Sequence, residues 1–232
     1  MWLLNSSIGK KLIMSISGIF LILFLLFHLS MNVAAVFSGS AYDAICGFLG
    51  ANWYALIGTL ILAAGFIIHI IYALILTLQN RKARGNDAYA INARPKGVEW
   101  SSQNMFVLGL IILLFLILHF SQFWYHMMFA ELAGHHEVLL GDGTVASPQS
   151  GAAFINYYFK GNLLMTVLYL VWYVALWFHL THGFWSAIHT LGWNNNIWMS
   201  RWECISKVFA TLICAVFAII TIIFYLNGVG GC

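Results

Sequence analysis

The chain has 232 residues, of which 62% are hydrophobic and 7% charged, with a formal net charge of +3 at neutral pH. Soluble domains carry about 25% charged residues, so this composition excludes an aqueous globule, and a charge so small and scattered excludes a nucleic-acid binder. Cys46, Cys204, Cys214 and Cys232 have neither C-x-x-C nor C-x-x-C-H spacing, which excludes a zinc ribbon, an iron–sulfur cluster and thioether-linked haem.

In chain order, apolar runs occupy roughly residues 11–37, 53–80, 103–129, 160–189 and 204–227. Each supplies the roughly 20 apolar residues that a membrane span needs. The fold class predicted is all-α integral membrane, one domain over 1–232, with the first four of five transmembrane helices forming an up-down bundle. The first run is too long for a signal-peptide core and lacks a small-x-small cleavage site, so it reads as a mature helix. Lys10, Lys11, Arg81, Lys82, Arg84, Arg94, Lys96, Arg201 and Lys207 fall on one side of the five spans, and only Lys160 on the other. The excess of basic residues predicts a cytoplasmic N-terminus. Trp53, Tyr54, Trp100, Trp124, Tyr125, Trp193 and Trp198 sit where interfacial anchors belong.

Each of the first four runs carries histidine in its apolar body: His28, His69, His119 with His126, and His179 with His182 and His189. The fifth has none, and His135 and His136 read as solvated loop residues. Counted from the expected cytoplasmic boundary at Lys11, Ser102, Arg81 and Gly192, His28 and His119 each lie 17 residues in, His69 12 and His179 13. Two levels follow, with an expected offset of about 7 Å at 1.5 Å per residue. In an up-down bundle with short connections, helices one and three face across a diagonal, as do two and four. His28 is thereby paired with His119, and His69 with His179.

Two imidazoles at matching depth across an apolar core are the axial ligand set of a planar iron chelate, which points to two b-type haems inside the bundle. Two ligands fill both axial positions and favour electron transfer over oxygen chemistry. A proton-coupled transporter built on histidine is the rival from another class, but the spans contain no carboxylate to share a relay. Zinc fits less well, because the ligands separate into two pairs that no thiolate or carboxylate joins. His182 shares a helix face with His179 and is the alternative fourth ligand. Small residues one turn from a ligand give a macrocycle room: Gly65 before His69, and Gly183 after His179. Gly18–His28 and Gly109–His119 repeat one ten-residue interval. Ser15 and Ser17, Ser101 and Ser102, and His189 are candidate partners for haem propionates.

The stretch HLTHGFWSAIHTLGW at 179–193, with the four histidines, resembles the five-helix, di-haem cytochrome b membrane subunit of succinate dehydrogenase/fumarate reductase complexes, over residues 10–227. The resemblance implies His69 and His179 on the haem proximal to the cytoplasmic subunits and His28 and His119 on the distal haem. It also implies an FAD-containing flavoprotein and an iron–sulfur protein docked on the cytoplasmic face against the basic loop 81–96. The implied substrate is a lipid-soluble quinone, often menaquinone, and the implied location a bacterial cytoplasmic membrane. Some members carry a glutamate two residues before the fourth ligand as a proton path; here Trp177 stands there. Asp43 is the acid nearest the place where some members put a quinol proton acceptor, and His126 is a second candidate for the quinone site. Dicarboxylate chemistry itself would belong to a partner. The alternative within the same class is the di-haem cytochrome b subunit of a hydrogenase or formate dehydrogenase.

Overall fold

A computed structural model describes residues 6–84, 99–193 and 195–230. Arg94 and Lys96 of the basic loop, and Cys232, lie outside the described residues. Five long helices carry the chain: α1 (Ser7–Phe37), α3 (Trp53–Arg84), α5 (Met105–His119), α8 (Leu163–Thr190) and α9 (Trp198–Asn227). All five are long and apolar enough to cross a membrane, α5 together with its continuation to Leu132. The shorter pieces are α2 (Gly39–Phe48), α4 (Trp100–Gln103), α6 (Ala130–Leu132) and α7 (Gly151–Phe159). One departure from an all-helical chain is a small antiparallel hairpin, β1 (Val138–Leu139) with β2 (Val145–Ala146), which pairs Val138 with Ala146. The last helix starts at Trp198 rather than the expected 204, because Trp198–Glu203 continues it into the basic interface.

Successive long helices run antiparallel. Phe20 of α1 packs over Gly65 of α3, Phe66 of α3 meets Phe120 beyond α5, Gln122 meets Met165 of α8, and Tyr173 of α8 meets Thr221 of α9. Lys10, Arg84, Arg201 and Lys207 consequently share one end, called here the basic end. Asp43, Glu131, Glu137 and Asp142 share the other, the acidic end.

Packing is uneven around this frame. Ala35, Ile155, Phe159, Tyr169, Ile220 and Phe224 form one core at the acidic end, and Ile22, Leu180, Ala210 and Cys214 a second nearer the basic end. Both join α1, α8 and α9. Ser206, wholly buried, lets α9 close on α8 by donating to the carbonyls of Leu180 and Thr181 at 3.1 and 2.7 Å. Helix α3 packs on α1 but touches α5 only sparingly, and none of its most apolar stretch is buried. A helix apolar on every side and open on most of them is suited to lipid.

Immediately after His119, α5 widens into a π-helix, Phe120–Phe129. Such widening is rare and usually marks a functional stretch. The acidic end is closed by a cap. Asp43 accepts from Ala152 N at 2.8 Å and Ser150 Oγ at 3.2 Å, holding the start of α7. Asn156 Oδ1 accepts from Val229 N at 2.8 Å, tying α7 to the end of α9.

Candidate functional site

The four span histidines meet in two pairs. His28 and His119 have ring centres 5.8 Å apart, and His69 and His179 6.3 Å apart. A metal–imidazole bond of about 2.0 Å, plus about 1.1 Å from nitrogen to ring centre, places two axial imidazoles of one iron about 6 Å apart. Both pairs meet that spacing, each from opposite sides of the helix ring, and all four side chains are half-buried rather than lipid-facing.

Ring nitrogens decide whether a histidine can ligate, since the ligating nitrogen must carry a lone pair. Ser17 Oγ spends its proton on the carbonyl of Met14 at 3.0 Å, so toward His69 Nδ1, 3.2 Å away, it acts as acceptor. His69 therefore holds its proton on Nδ1 and its lone pair on Nε2. Tyr169 donates to Gln122 Oε1 at 2.7 Å and stands 3.2 Å from His119 Nδ1, with the same outcome for His119. His28 Nε2 faces the amide of Asn32 at 3.4 Å, a weak contact that a metal at Nε2 would displace, while the same amide keeps its bond to the His28 carbonyl at 2.8 Å. His179 Nδ1 is buried with no hydrogen-bond partner among the described residues.

The two levels are farther apart than the boundary count gave. A Cβ on Gly18 would lie 3.4 Å from His69 Cε1, and one on Gly109 would lie 3.8 Å from His179 Cε1. The basic-end pair is thus level with Gly18 and Gly109, and the acidic-end pair lies ten residues farther along the same two helices. That is about 15 Å rather than about 7 Å. Counting from charged residues failed because the helix ends do not share a plane. The repeated Gly-to-His interval has a physical cause: each of α1 and α5 supplies a histidine at one level and a side-chain-free notch at the other.

The remaining candidates sort as follows. Gly65 is no open notch, since a Cβ there would sit 2.5 Å from Phe20 Cε1, whose ring already fills the space. Gly183 is open, its nearest neighbour being Met105 Cε at 4.0 Å. Ser17, expected near a propionate, is engaged with His69 and the Met14 carbonyl. Ser15 and Ser101 are buried, Ser102 half-buried and His189 exposed near Trp185. His182 has its Nδ1 3.9 Å from Glu99 Oε2, and Glu99 also pairs with Lys207 at 3.0 Å. Of His179 and His182, neighbours on α8, it is His179 whose ring lies against His69. The Glu99–Lys207 pair is absent from the sequence reading, where Lys207 served only as an orientation signal. Trp172 Nε1, His182 Nδ1, Trp185 Nε1 and Glu99 Oε2 are also buried without hydrogen-bond partners among the described residues, whereas buried polar groups normally have one. Trp177 donates to Thr211 at 2.9 Å.

At the acidic end an open cavity of about 220 Å³ is lined by Tyr125, His126, Phe129, His135, Glu137 and Val138. His126 Nδ1 lies 3.2 Å from the carbonyl of Gln122, which fixes its proton there and leaves Nε2 as an acceptor. Asp43 does not line this cavity, and both of its oxygens serve the cap. Among the described residues no three of His, Cys, Asp and Glu gather into a metal cluster; the centres are pairs. No family model, no curated protein and no solved structure matches the chain.

Proposed function

We propose that this chain is a di-haem cytochrome b, the membrane anchor of a succinate dehydrogenase/fumarate reductase-type complex. The observation that carries the proposal is the meeting of four span histidines in two facing pairs at iron-spanning distance. His69 and His179 would hold one haem b, and His28 and His119 the other, with His69 and His119 ligating through Nε2. Haem ligated on both faces supplies reversible one-electron iron chemistry with no open coordination position.

The protein's own part is to hold, orient and exclude. Ser17 and Tyr169 fix ligand tautomers. Phe24, Phe123, Trp172 and Phe217 ring the acidic-end pair with apolar faces that keep water away. At the acidic end, His126 Nε2 would accept a hydrogen bond from the hydroxyl of a quinol, menaquinol being the expected one, in the cavity that His126 lines. The basic end would receive an iron–sulfur subunit and, beyond it, an FAD-bearing flavoprotein on the cytoplasmic side of a bacterial inner membrane.

A reduced-minus-oxidised spectrum of the purified chain tests the proposal. Two low-spin b-type haems per chain are expected, and a chain that purifies without chromophore after haem supplementation overturns it. Capture of the native complex separates the two cytochrome families. A flavoprotein with succinate or fumarate activity fits the proposal, and a hydrogenase or formate dehydrogenase partner replaces it.

A further inference from the structure

The two histidine pairs are gripped by different devices, and the device at the acidic end extends beyond a single hydrogen bond. Gln122 Nε2 lies 3.1 Å from Met165 Sδ. A thioether can only accept, so the amide nitrogen faces sulfur and the amide oxygen faces Tyr169. That oxygen takes the single phenolic proton at 2.7 Å. The Tyr169 oxygen then accepts from His119 Nδ1–H. Turning the amide over would set two acceptors against each other at sulfur and reverse every later bond. Tyr169 and Gln122 are 3% and 4% exposed, so no solvent competes for these protons. Gln122 belongs to the π-helix, whose wide turns bring it to Tyr169 while His119 still faces His28. The basic-end pair has a shorter device, in which His69 Nδ1–H donates to Ser17 Oγ and Ser17 in turn donates to the backbone carbonyl of Met14.

We propose that Met165, Gln122 and Tyr169 form a directional relay that sets the donor strength of His119 and thereby lowers the reduction potential of the acidic-end centre below the value it would have without the relay. The inference rests on the haem reading above. An acceptor on the far nitrogen of a ligating imidazole raises its basicity, and electron-rich ligands favour the oxidised metal. These three are positioning residues, acting through His119.

The test is a redox titration of the full-length chain in detergent, followed by optical and electron paramagnetic resonance spectra. Each centre is assigned from the His179→Ala chain, which is expected to retain only the acidic-end one. Tyr169→Phe keeps the ring and deletes the acceptor. The expected result is an upward shift of the acidic-end midpoint potential and a changed low-spin signal from that centre alone, with roughly tenfold weaker haem retention there. Met165→Leu conserves volume and releases the amide, and is expected to shift the same centre in the same direction by less. Ser17→Ala is expected to move only the basic-end centre. Two haems with unmoved potentials in both Tyr169→Phe and Met165→Leu overturn the relay and leave the haem reading standing. Equal movement of both centres also overturns it. A wild-type chain without haem overturns the haem reading, and the relay with it.

Discussion

The two histidine pairs use one ligand chemistry in two surroundings. At the basic end, His69 and His179 lie against glycine: Gly18 and Gly109 give up their side chains where the rings pass. At the acidic end, His28 and His119 lie among rings, with Phe24 5.6 Å from His28 and Phe123 and Trp172 5.1 and 5.7 Å from His119. The first site is made by removing side chains and the second by adding aromatic ones. Glycine notches let two helix backbones approach a flat guest closely. Aromatic walls exclude water and fix ring orientation through large, rigid contacts. The basic-end site lies beside the pair Glu99–Lys207 and the expected docking face, whereas a cap of α2, the hairpin and α7 covers the acidic-end site.

Removing ligands breaks this comparison most completely. His69→Ala or His179→Ala is expected to take haem content from two to one by pyridine haemochrome assay, leaving the centre among aromatic rings. His28→Ala or His119→Ala should leave the other. His182→Ala should retain both; loss of one there, with both kept in His179→Ala, reassigns the fourth ligand to His182.

Much of this arrangement was legible in the residues. Long apolar runs with one histidine-bearing face each dictate spans, and short connections between antiparallel neighbours dictate which histidines meet. The depth of each pair was not legible, because charges mark where a helix leaves the membrane and not where its neighbour's side chains lie; only the contacts of Gly18 and Gly109 fix it. The π-helix after His119 has no sequence signature, so the grip of Gln122 and Tyr169 on that histidine was invisible. Gly65 shows the same limit from the other side. A small residue one turn from a ligand looked like room, but the space it leaves belongs to Phe20 of a different helix.

Cys46 sharpens the contrast between the covered end and the open one. Burial beside Tyr42, with the carboxylate of Asp43 nearby, pushes its thiol up to about 11 from 9.0. The thiolate is the reactive form, so at pH 8 burial lowers the reactive fraction by roughly one to two orders of magnitude. Maleimide labelling of Cys46, followed by mass spectrometry, should be slower by that factor in the folded chain than after denaturation at the same pH. The gap should narrow as pH rises from 9 toward 11. Equal rates in both states would mean that the cap does not seal the acidic end.

Next in size is the packing at the glycines. Gly65→Ala presses a methyl into the Phe20 ring and is expected to cost about 1–3 kcal/mol, read as a lower unfolding temperature in detergent with both haem signals retained. Gly18→Val crowds His69 and should weaken the basic-end centre alone. If Gly18→Val weakens both centres equally, the glycine notch is a general packing feature and the proposed difference between the sites disappears.

The smallest effect separates structure from chemistry at Asp43. Its carboxylate receives both a backbone N–H and a hydroxyl at the start of α7, the work of a helix cap, which is worth about 0.5–2 kcal/mol. Asp43→Asn keeps an acceptor oxygen but cannot take up a proton, whereas Asp43→Ala keeps neither function. If the cap is its whole role, Asn should restore most of the stability lost in Ala, and quinol oxidation by the intact complex should be unchanged in Asn. A complex with Asn that is stable yet fails to oxidise quinol would make Asp43 a proton acceptor and move the quinone-reactive surface from the His126 cavity toward α2. Because the two substitutions divide the carboxylate's geometry from its basicity, stability and turnover measured side by side decide between a covered haem end that merely stays shut and one that also exchanges protons.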